Sequence, residues 1–458
     1  MSGQPPAITH PNKRKFVSAT VSPPPLRRKL QSTTTQNSVA SFFTKTSQKP
    51  PEKIKWQERA VDDDTPGTLI VGRYEPTGVE PMIAQNKRAK VAAFDLDSTL
   101  IETASGKKFA SGADDWKWWH PCVPETLKKL YNEDGYRVAV ISNQGGISLK
   151  VDTKGPKAHQ TKILSFKAKV AAVFSQLEIP ISIYAATNKD IFRKPRTGIW
   201  TELLDDYGIS ATEVDIKKSI FVGDAGGREA GGGKSKDFSC SDRNFALNVG
   251  ITYSTPEEFF LKDAPRPFVQ SFDPTRYLLS TSQEDENPNN PTFAKTRAQE
   301  VVLLCGSPGA GKSTFYNRNL LPLGYSRINQ DTLKTRERCL KVASELLREG
   351  KSIAVDNTNP DTEVRRKWIE LAKKHSAPIR CVLFTADNTI CQHNDVVRAL
   401  NPAMNPEKRT MLPSMAFNSF KSRYEPPKPS EGFEDITEVN FQFVGNEEER
   451  KIWSRHWT

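Results

Sequence analysis

No apolar run in this 458-residue chain approaches the ~20 residues that a membrane-spanning helix needs, and the first residues carry no apolar signal core. A soluble, intracellular protein without a membrane partner is therefore expected. Cysteine is scarce and scattered: Cys122, Cys240, Cys305, Cys339, Cys381 and Cys391 form no C-x-x-C pair, and no histidine stands near them at zinc-ligand spacing. That pattern argues for a reduced compartment and against structural zinc, with the cysteines as small core or loop residues. Acidic residues are nearly missing from the first 60 positions, where eleven lysines and arginines face only Glu52 and Glu58. Of the net +12, +9 sits in that stretch and only +3 in the other 398 residues. Overall basicity thus says little about the folded part, where any nucleic-acid binding must come from local grooves.

What is present divides the chain. Residues 1–55 are rich in Ser, Thr, Pro, Gln and basic residues without a sustained hydrophobic period, which predicts a disordered basic tail. Within it, 12-NKRK-15 and 26-LRRKL-30 are short basic clusters of nuclear-import type, so a nuclear location is expected. In 36-QNSVASFF-43, Gln36, Val39, Phe42 and Phe43 are spaced so that one helical turn puts the three apolar side chains on a common side. This resembles the motif by which replication and repair proteins dock on the sliding clamp PCNA. From residue 67, apolar runs such as 91-VAAF-94, 137-RVAVIS-142 and 219-SIFVG-223 alternate with helical stretches, the pattern of a parallel sheet covered on both faces. The pattern predicts an α/β domain over 67–265 and a linker over 266–298, which holds the polar 280-STSQEDENPNNP-291. A second α/β domain is expected over 299–458. The two halves share a class but no internal repeat.

Four polar pieces fall in order at predicted strand ends of the first domain: 95-DLDST-99, Ser142 in 141-ISNQGG-146, Lys194 in 193-RKP-195 and Asp224 in 222-VGDAGG-227. The set resembles the haloacid dehalogenase superfamily of phosphohydrolases. Chemistry accounts for the residue types. The Asp95 carboxylate would attack phosphorus to give an aspartyl-phosphate, and Asp97 would protonate the leaving oxygen, then take a proton from water. Mg²⁺ held by Asp95, Asp224 and the Asp97 backbone carbonyl would supply positive charge, helped by Lys194, with Ser142 donating to a phosphoryl oxygen. Asp242 is placed either behind the metal or in a structural role. Trp116, Trp118 and Trp119 fit either core packing or a base-stacking channel.

In the second domain, 306-GSPGAGKS-313 matches G-x-x-x-x-G-K-[ST] after the apolar run 301–305. The loop Gly306, Ser307, Pro308, Gly309, Ala310, Gly311, Lys312, Ser313 and Thr314 is expected to cradle the phosphates of ATP, with Lys312 reaching the β and γ groups and Ser313 ligating Mg²⁺. Asp331 in 328-INQDTL-333 suits a base for an attacking hydroxyl, which favours a kinase over a simple NTPase, although an acid there also suits metal support. Asp356, Asn357 and Thr358 suit the acceptor side or the metal. Arg398, on a predicted helix, is a candidate lid over the triphosphate.

Together, D-L-D-S-T followed by a P-loop and I-N-x-D-T-L resembles the bifunctional polynucleotide kinase/3′-phosphatase family of DNA repair over roughly residues 67–458. Further supporting pieces are 236-KDFSCSDRNFALN-248, 255-TPEEFFL-261 and 431-EGFEDI-436. The resemblance implies a monomeric, two-centre α/β enzyme that removes 3′-phosphates, single-stranded ends being the phosphatase substrate, and phosphorylates 5′-hydroxyl ends of DNA with ATP. Animal members begin with a forkhead-associated domain, for which the first 60 residues leave no room. Recruitment is therefore expected to rest on the clamp-like motif. RNA end healing uses the same two reactions, and an adaptor that only binds nucleic acid is the third reading.

Overall fold

The computed structural model describes residues 54–79, 89–149, 156–231, 233–270, 272–278 and 293–458. Gln36, Val39, Phe42, Phe43 and the two basic clusters lie outside the described residues.

The first half is built on a seven-stranded sheet with the order β1-β2-β7-β6-β3-β8-β9. Its strands are β1 (Ile54–Arg59), β2 (Leu69–Tyr74), β3 (Val91–Phe94), β6 (Arg137–Asn143), β7 (Ile181–Ala186), β8 (Ile220–Val222) and β9 (Thr252–Ser254). A short hairpin, β4 (Ile101–Glu102) and β5 (Lys117–Trp118), stands apart from it. From β7 to β9 all pairings are parallel, whereas β1 and β2 add antiparallel. The central strand Val-Ala-Ala-Phe is wholly buried, as a strand covered on both faces must be. Its covers are α1 (Val123–Asn132), α2 (Pro156–Leu177), α3 (Gly198–Asp206) and α4 (Ser241–Val249), with one apolar cluster on each side of the sheet. In α1, Val123, Leu127, Leu130 and Tyr131 recur at helical spacing and are the residues that go inside.

In the second half a five-stranded, all-parallel sheet runs β11-β12-β10-β13-β14. These strands are β10 (Val301–Cys305), β11 (Ser326–Ile328), β12 (Ile353–Val355), β13 (Ile379–Phe384) and β14 (Ile436–Val439). The helices of this half are α5 (Lys312–Phe315), α6 (Gln330–Leu333), α7 (Arg336–Arg348), α8 (Thr362–Lys374), α9 (Asn388–Leu400), α10 (Ser414–Arg423) and, after β14, α11 (Glu447–Trp453). Several starts are fixed by the expected chemistry: the side chains of Thr335, Asp361 and Asp387 accept from backbone N–H groups of α7, α8 and α9. Among the described residues, no helix is long and apolar enough to cross a membrane.

Two expected boundaries are corrected. The first folded unit starts at Ile54, inside the predicted tail and well before residue 67, because Ile-Lys-Trp-Gln-Glu-Arg pairs with all of β2. As an edge strand β1 buries Ile54 and half-buries Trp56, and the Trp56 indole lies over Gly72, where any Cβ would meet the ring. The stretch 266–298 is only partly a linker. Val269 N–H donates to the Gly227 carbonyl, Phe272 and Tyr277 pack on the second half, and Phe293 is buried in its core.

Candidate active sites

In both halves the polar residues of interest stand where parallel strands end. At the end of β3, Asp95 N–H donates to the Val222 carbonyl (2.8 Å), which ties the turn 95–99 to the neighbouring strand. Ser98 takes a positive φ of 58°, closing a tight turn that leaves Asp97 half exposed. Asp97 Oδ2 accepts from Gln144 Nε2 (2.7 Å), and Oδ1 pairs with Lys169 Nζ of α2 (3.3 Å). Gln144 also donates to Ser142 Oγ (3.0 Å) at the buried end of β6.

Lys194 is the hub. Its Nζ reaches Asp95 Oδ1, Asp242 Oδ1 and the Ile141 carbonyl, each at 2.8 Å, while Asn143 accepts from its backbone N–H and donates to its carbonyl. Asp95, Asp224 and Asp242 each bring a carboxylate oxygen to a common spot, within 4.8 Å of one another. Asp242, at the start of α4, is therefore a full member of the cluster rather than a distant support. It can come so close because Gly223 has no side chain, and a Cβ there would collide with the Asp242 carboxylate. Burial pushes the Asp95 carboxyl up to about 6 against the pull of Lys194. Asp224 is driven up to about 8, by burial first and then by the charges of Asp95 and Asp242. Burial opposes the charge of Lys194, but Asp242 and Asp95 together outweigh it and raise its pKa. Three acids around one ammonium leave a negative excess in a buried place, and their all-oxygen donor set fits a hard divalent cation such as Mg²⁺.

Trp116, Trp118 and Trp119 stand beside the core of the first half. They are half-buried against the core, with Trp118 Nε1 bonded to Gln176. Among the described residues the two most exposed phenylalanines are Phe109 (77%) and Phe238 (98%), on separate loops, with the Lys108 ammonium lying 5.6 and 5.8 Å from their rings.

The P-loop of the second half leads from β10 into α5 and lines a cleft of about 1190 Å³. Gly309 (φ 76°) approaches the Cys391 carbonyl so closely that no side chain fits, and Asn394 Nδ2 donates to the Gly309 carbonyl (2.8 Å). Lys312 is buried, and its Nζ donates to the loop carbonyls of Gly306 (2.9 Å) and Ser307 (2.7 Å). Burial lowers its pKa. Ser313 Oγ donates to Asp356 Oδ2 (2.8 Å), and Arg327 of β11 grips the same carboxylate and also reaches Ser313 Oγ (3.0 Å). Pro308, Ala310 and Thr314 complete the loop's face of the cleft, and Asn357 and Thr358 join it.

Asp331 lies on α6 with its side chain 75% exposed and Arg409 at 3.6 Å. Arg398 lines the cleft from α9, held by Asp395 (2.6 Å), while its buried Nε has no partner among the described residues. Burial lowers the Arg398 pKa despite that carboxylate. Sequence reasoning missed Arg327, which ties Ser313 to Asp356, and Arg409, which stands against Asp331. Arg327 belongs to a three-residue strand whose side-chain direction no local pattern gives.

The fold and the two sites define a phosphohydrolase-type centre joined to a P-loop phosphotransfer centre. Residues 90–260 match the family model of polynucleotide kinase 3 phosphatase, and residues 301–427 match that of an AAA domain. The bifunctional polynucleotide phosphatase/kinase of Schizosaccharomyces pombe is 38% identical over 425 residues, covering 90% of this chain and 96% of the relative. A polynucleotide 3′-phosphatase of Saccharomyces cerevisiae is 30% identical over 213 residues, covering 37% of this chain and 87% of that protein. One from Arabidopsis thaliana is 30% identical over 192 residues, 40% of this chain and 25% of its own length. The chain belongs to the bifunctional polynucleotide phosphatase/kinase family.

Proposed function

We propose that this chain heals strand ends in DNA repair, converting a 3′-phosphate and a 5′-hydroxyl into a 3′-hydroxyl and a 5′-phosphate. The observation that carries the reading is the coexistence of the Lys194-centred acid cluster and the P-loop cleft in one chain. Its relatives of the same two-activity description support it.

In the phosphatase, Lys194 holds Asp95 with one carboxylate oxygen pinned and the other free to attack phosphorus. The P–O bond to the 3′ oxygen breaks as the Asp95–P bond forms, and Asp97 gives its proton to that leaving oxygen. Asp97 then takes a proton from the water that splits the aspartyl-phosphate, releasing inorganic phosphate and restoring Asp95. Ser142 Oγ would donate to a phosphoryl oxygen. Asp95, Asp224 and Asp242 would hold a Mg²⁺, which would supply the positive charge that lets a carboxylate approach a phosphate. Phe109 and Phe238 offer open ring faces on which unpaired bases can stack, which fits single-stranded 3′ ends.

In the kinase, the P-loop N–H groups and Lys312 hold the ATP phosphates while Asp331 accepts the proton of the attacking 5′-hydroxyl. Arg398 faces the transferred group. Ser313 and Asp356 are the groups placed to hold the nucleotide's Mg²⁺, and Arg327 keeps them together.

The acid cluster also predicts a pH dependence. Asp95 and Asp224 rise from 3.8 to about 6 and about 8 on folding. Between those limits the native state keeps protons that the unfolded chain has released, so metal-free stability falls as pH rises from 4 to 8. Thermal melts should show this decline, with Mg²⁺ raising the melting temperature more at pH 8 than at pH 5. An equal Mg²⁺ effect at both values would contradict the cluster as the metal site.

The tail motif supports docking on a sliding clamp in the nucleus. Replacing Phe42 and Phe43 by Ala should weaken clamp binding at least tenfold in a titration without changing turnover. Unaltered binding would reduce the motif to coincidence.

The deciding experiment gives the protein Mg²⁺, ATP and matched DNA and RNA strands, each with a 5′-hydroxyl and a 3′-phosphate, and follows both ends by mass. Change at both ends, chiefly on DNA, is expected. Preference for RNA would move the enzyme to RNA healing, and unaltered ends would leave an adaptor.

A further inference from the structure

The residues that follow α11 leave the kinase half and settle on the phosphatase half. The His456 carbonyl accepts from Asn248 Nδ2 (2.7 Å), and its backbone N–H donates to Asn248 Oδ1 (2.8 Å). Its ring bonds Gln270 (2.9 Å). The Trp457 carbonyl accepts from Arg196 Nε (3.1 Å). Of these partners, Asn248 lies in α4, Gln270 in the stretch after residue 266, and Arg196 in the short loop that follows Lys194. Asn248 Nδ2 also donates to the Pro195 carbonyl (2.8 Å), and Pro195 and Arg196 directly follow Lys194.

At its other end the segment is fixed in the kinase. The Trp457 side chain is buried in the kinase core with Trp453, and its Nε1 donates to the Ile452 carbonyl (2.8 Å). Arg196 shows how much the contact is needed. It is buried, its other bond is to the Asp190 carbonyl (2.8 Å), and no carboxylate stands at ion-pair distance among the described residues. A buried guanidinium satisfied by carbonyls cannot lose one without moving or letting water in.

From this arrangement we propose that His456–Trp457 is a positioning strap: the kinase half holds loop 194–196, and so sets Lys194 against Asp95 and Asp242. Asn143 pins the Lys194 backbone from the β6 side, and the strap pins the two residues after it. Lys194 Nζ serves three acceptors at 2.8 Å, so a small shift of its backbone withdraws it from all of them. Misplacement of a positioning group by about 1 Å costs up to 10²-fold in rate. The strap rests on the proposed phosphatase chemistry and adds to it that the kinase half completes the phosphatase site.

The test uses the full chain carrying Asn248→Ala, Trp457→Ala or both, with each variant's melting curve recorded. Each single change should lower phosphatase kcat roughly tenfold while KM for a 3′-phosphorylated oligonucleotide moves less than about twofold. Kinase kcat of Asn248→Ala should stay within about twofold of the parent. Because both changes release one strap, the double variant should be no slower than the worse single one. A parental phosphatase kcat in folded Asn248→Ala, or losses that multiply in the double variant, would overturn the strap. Should Trp457→Ala fail to fold, Asn248→Ala decides alone, since it leaves the kinase core untouched. An inactive parent protein would instead overturn the phosphatase reading itself.

Discussion

Asp95→Asn should abolish removal of 3′-phosphate, by on the order of 10⁴-fold, and leave 5′-phosphorylation within about twofold of the parent. The amide keeps the size of the carboxylate and still offers Lys194 an acceptor, but it has no nucleophilic oxygen to bond to phosphorus. The substitution should cost no stability in metal-free protein. Burial already pushes the Asp95 carboxyl up to about 6, so at lower pH the native side chain is itself largely neutral. Following both ends of one oligonucleotide by mass reads the two reactions in the same tube. Loss of both activities in a protein that melts normally would mean that the chain has one shared centre, not two.

The converse is expected of Lys312→Ala: kinase activity falls on the order of 10³-fold, and phosphatase activity persists. Lys312 is buried with its ammonium turned onto the Gly306 and Ser307 carbonyls, so the loop carries its own cation into the phosphate cradle. Alanine removes that charge and leaves the glycines, hence the loop shape, in place. Nucleotide binding measured by calorimetry should weaken alongside turnover. A variant that still phosphorylates 5′ ends at the parental rate would place the γ-phosphate elsewhere in the cleft.

Much of this architecture is legible in the sequence, and the reason is physical. Strands such as Val91–Phe94 and Ile379–Phe384 are buried along their whole length, so their composition alone declares them. The acids of the first site follow such strands at once, and the P-loop needs its glycines, so both stand out locally. β1 hid because an edge strand buries only alternate residues and its Lys, Gln, Glu and Arg look like tail. Asp242 sits on a helix eighteen positions after Asp224, and nothing local shows that the helix start returns to the cluster. The tryptophan trio was ambiguous because aromatic residues serve cores and nucleic-acid channels equally well, and here all three are half-buried, with one side packed on the core. The strap is the extreme case: its partners, Arg196 and Trp457, are 261 positions apart, and one contributes only a backbone carbonyl.

Gly223 extends the meaning of a functional residue. It carries no charge and no side chain, yet the space it leaves is what allows a third acid to reach the other two. Chemical capability at this site is thus partly stored as emptiness. A chain could retain all three aspartates and Lys194 and still lose the cluster through one added methyl group, so an inventory of its polar residues alone would misjudge whether the site survives.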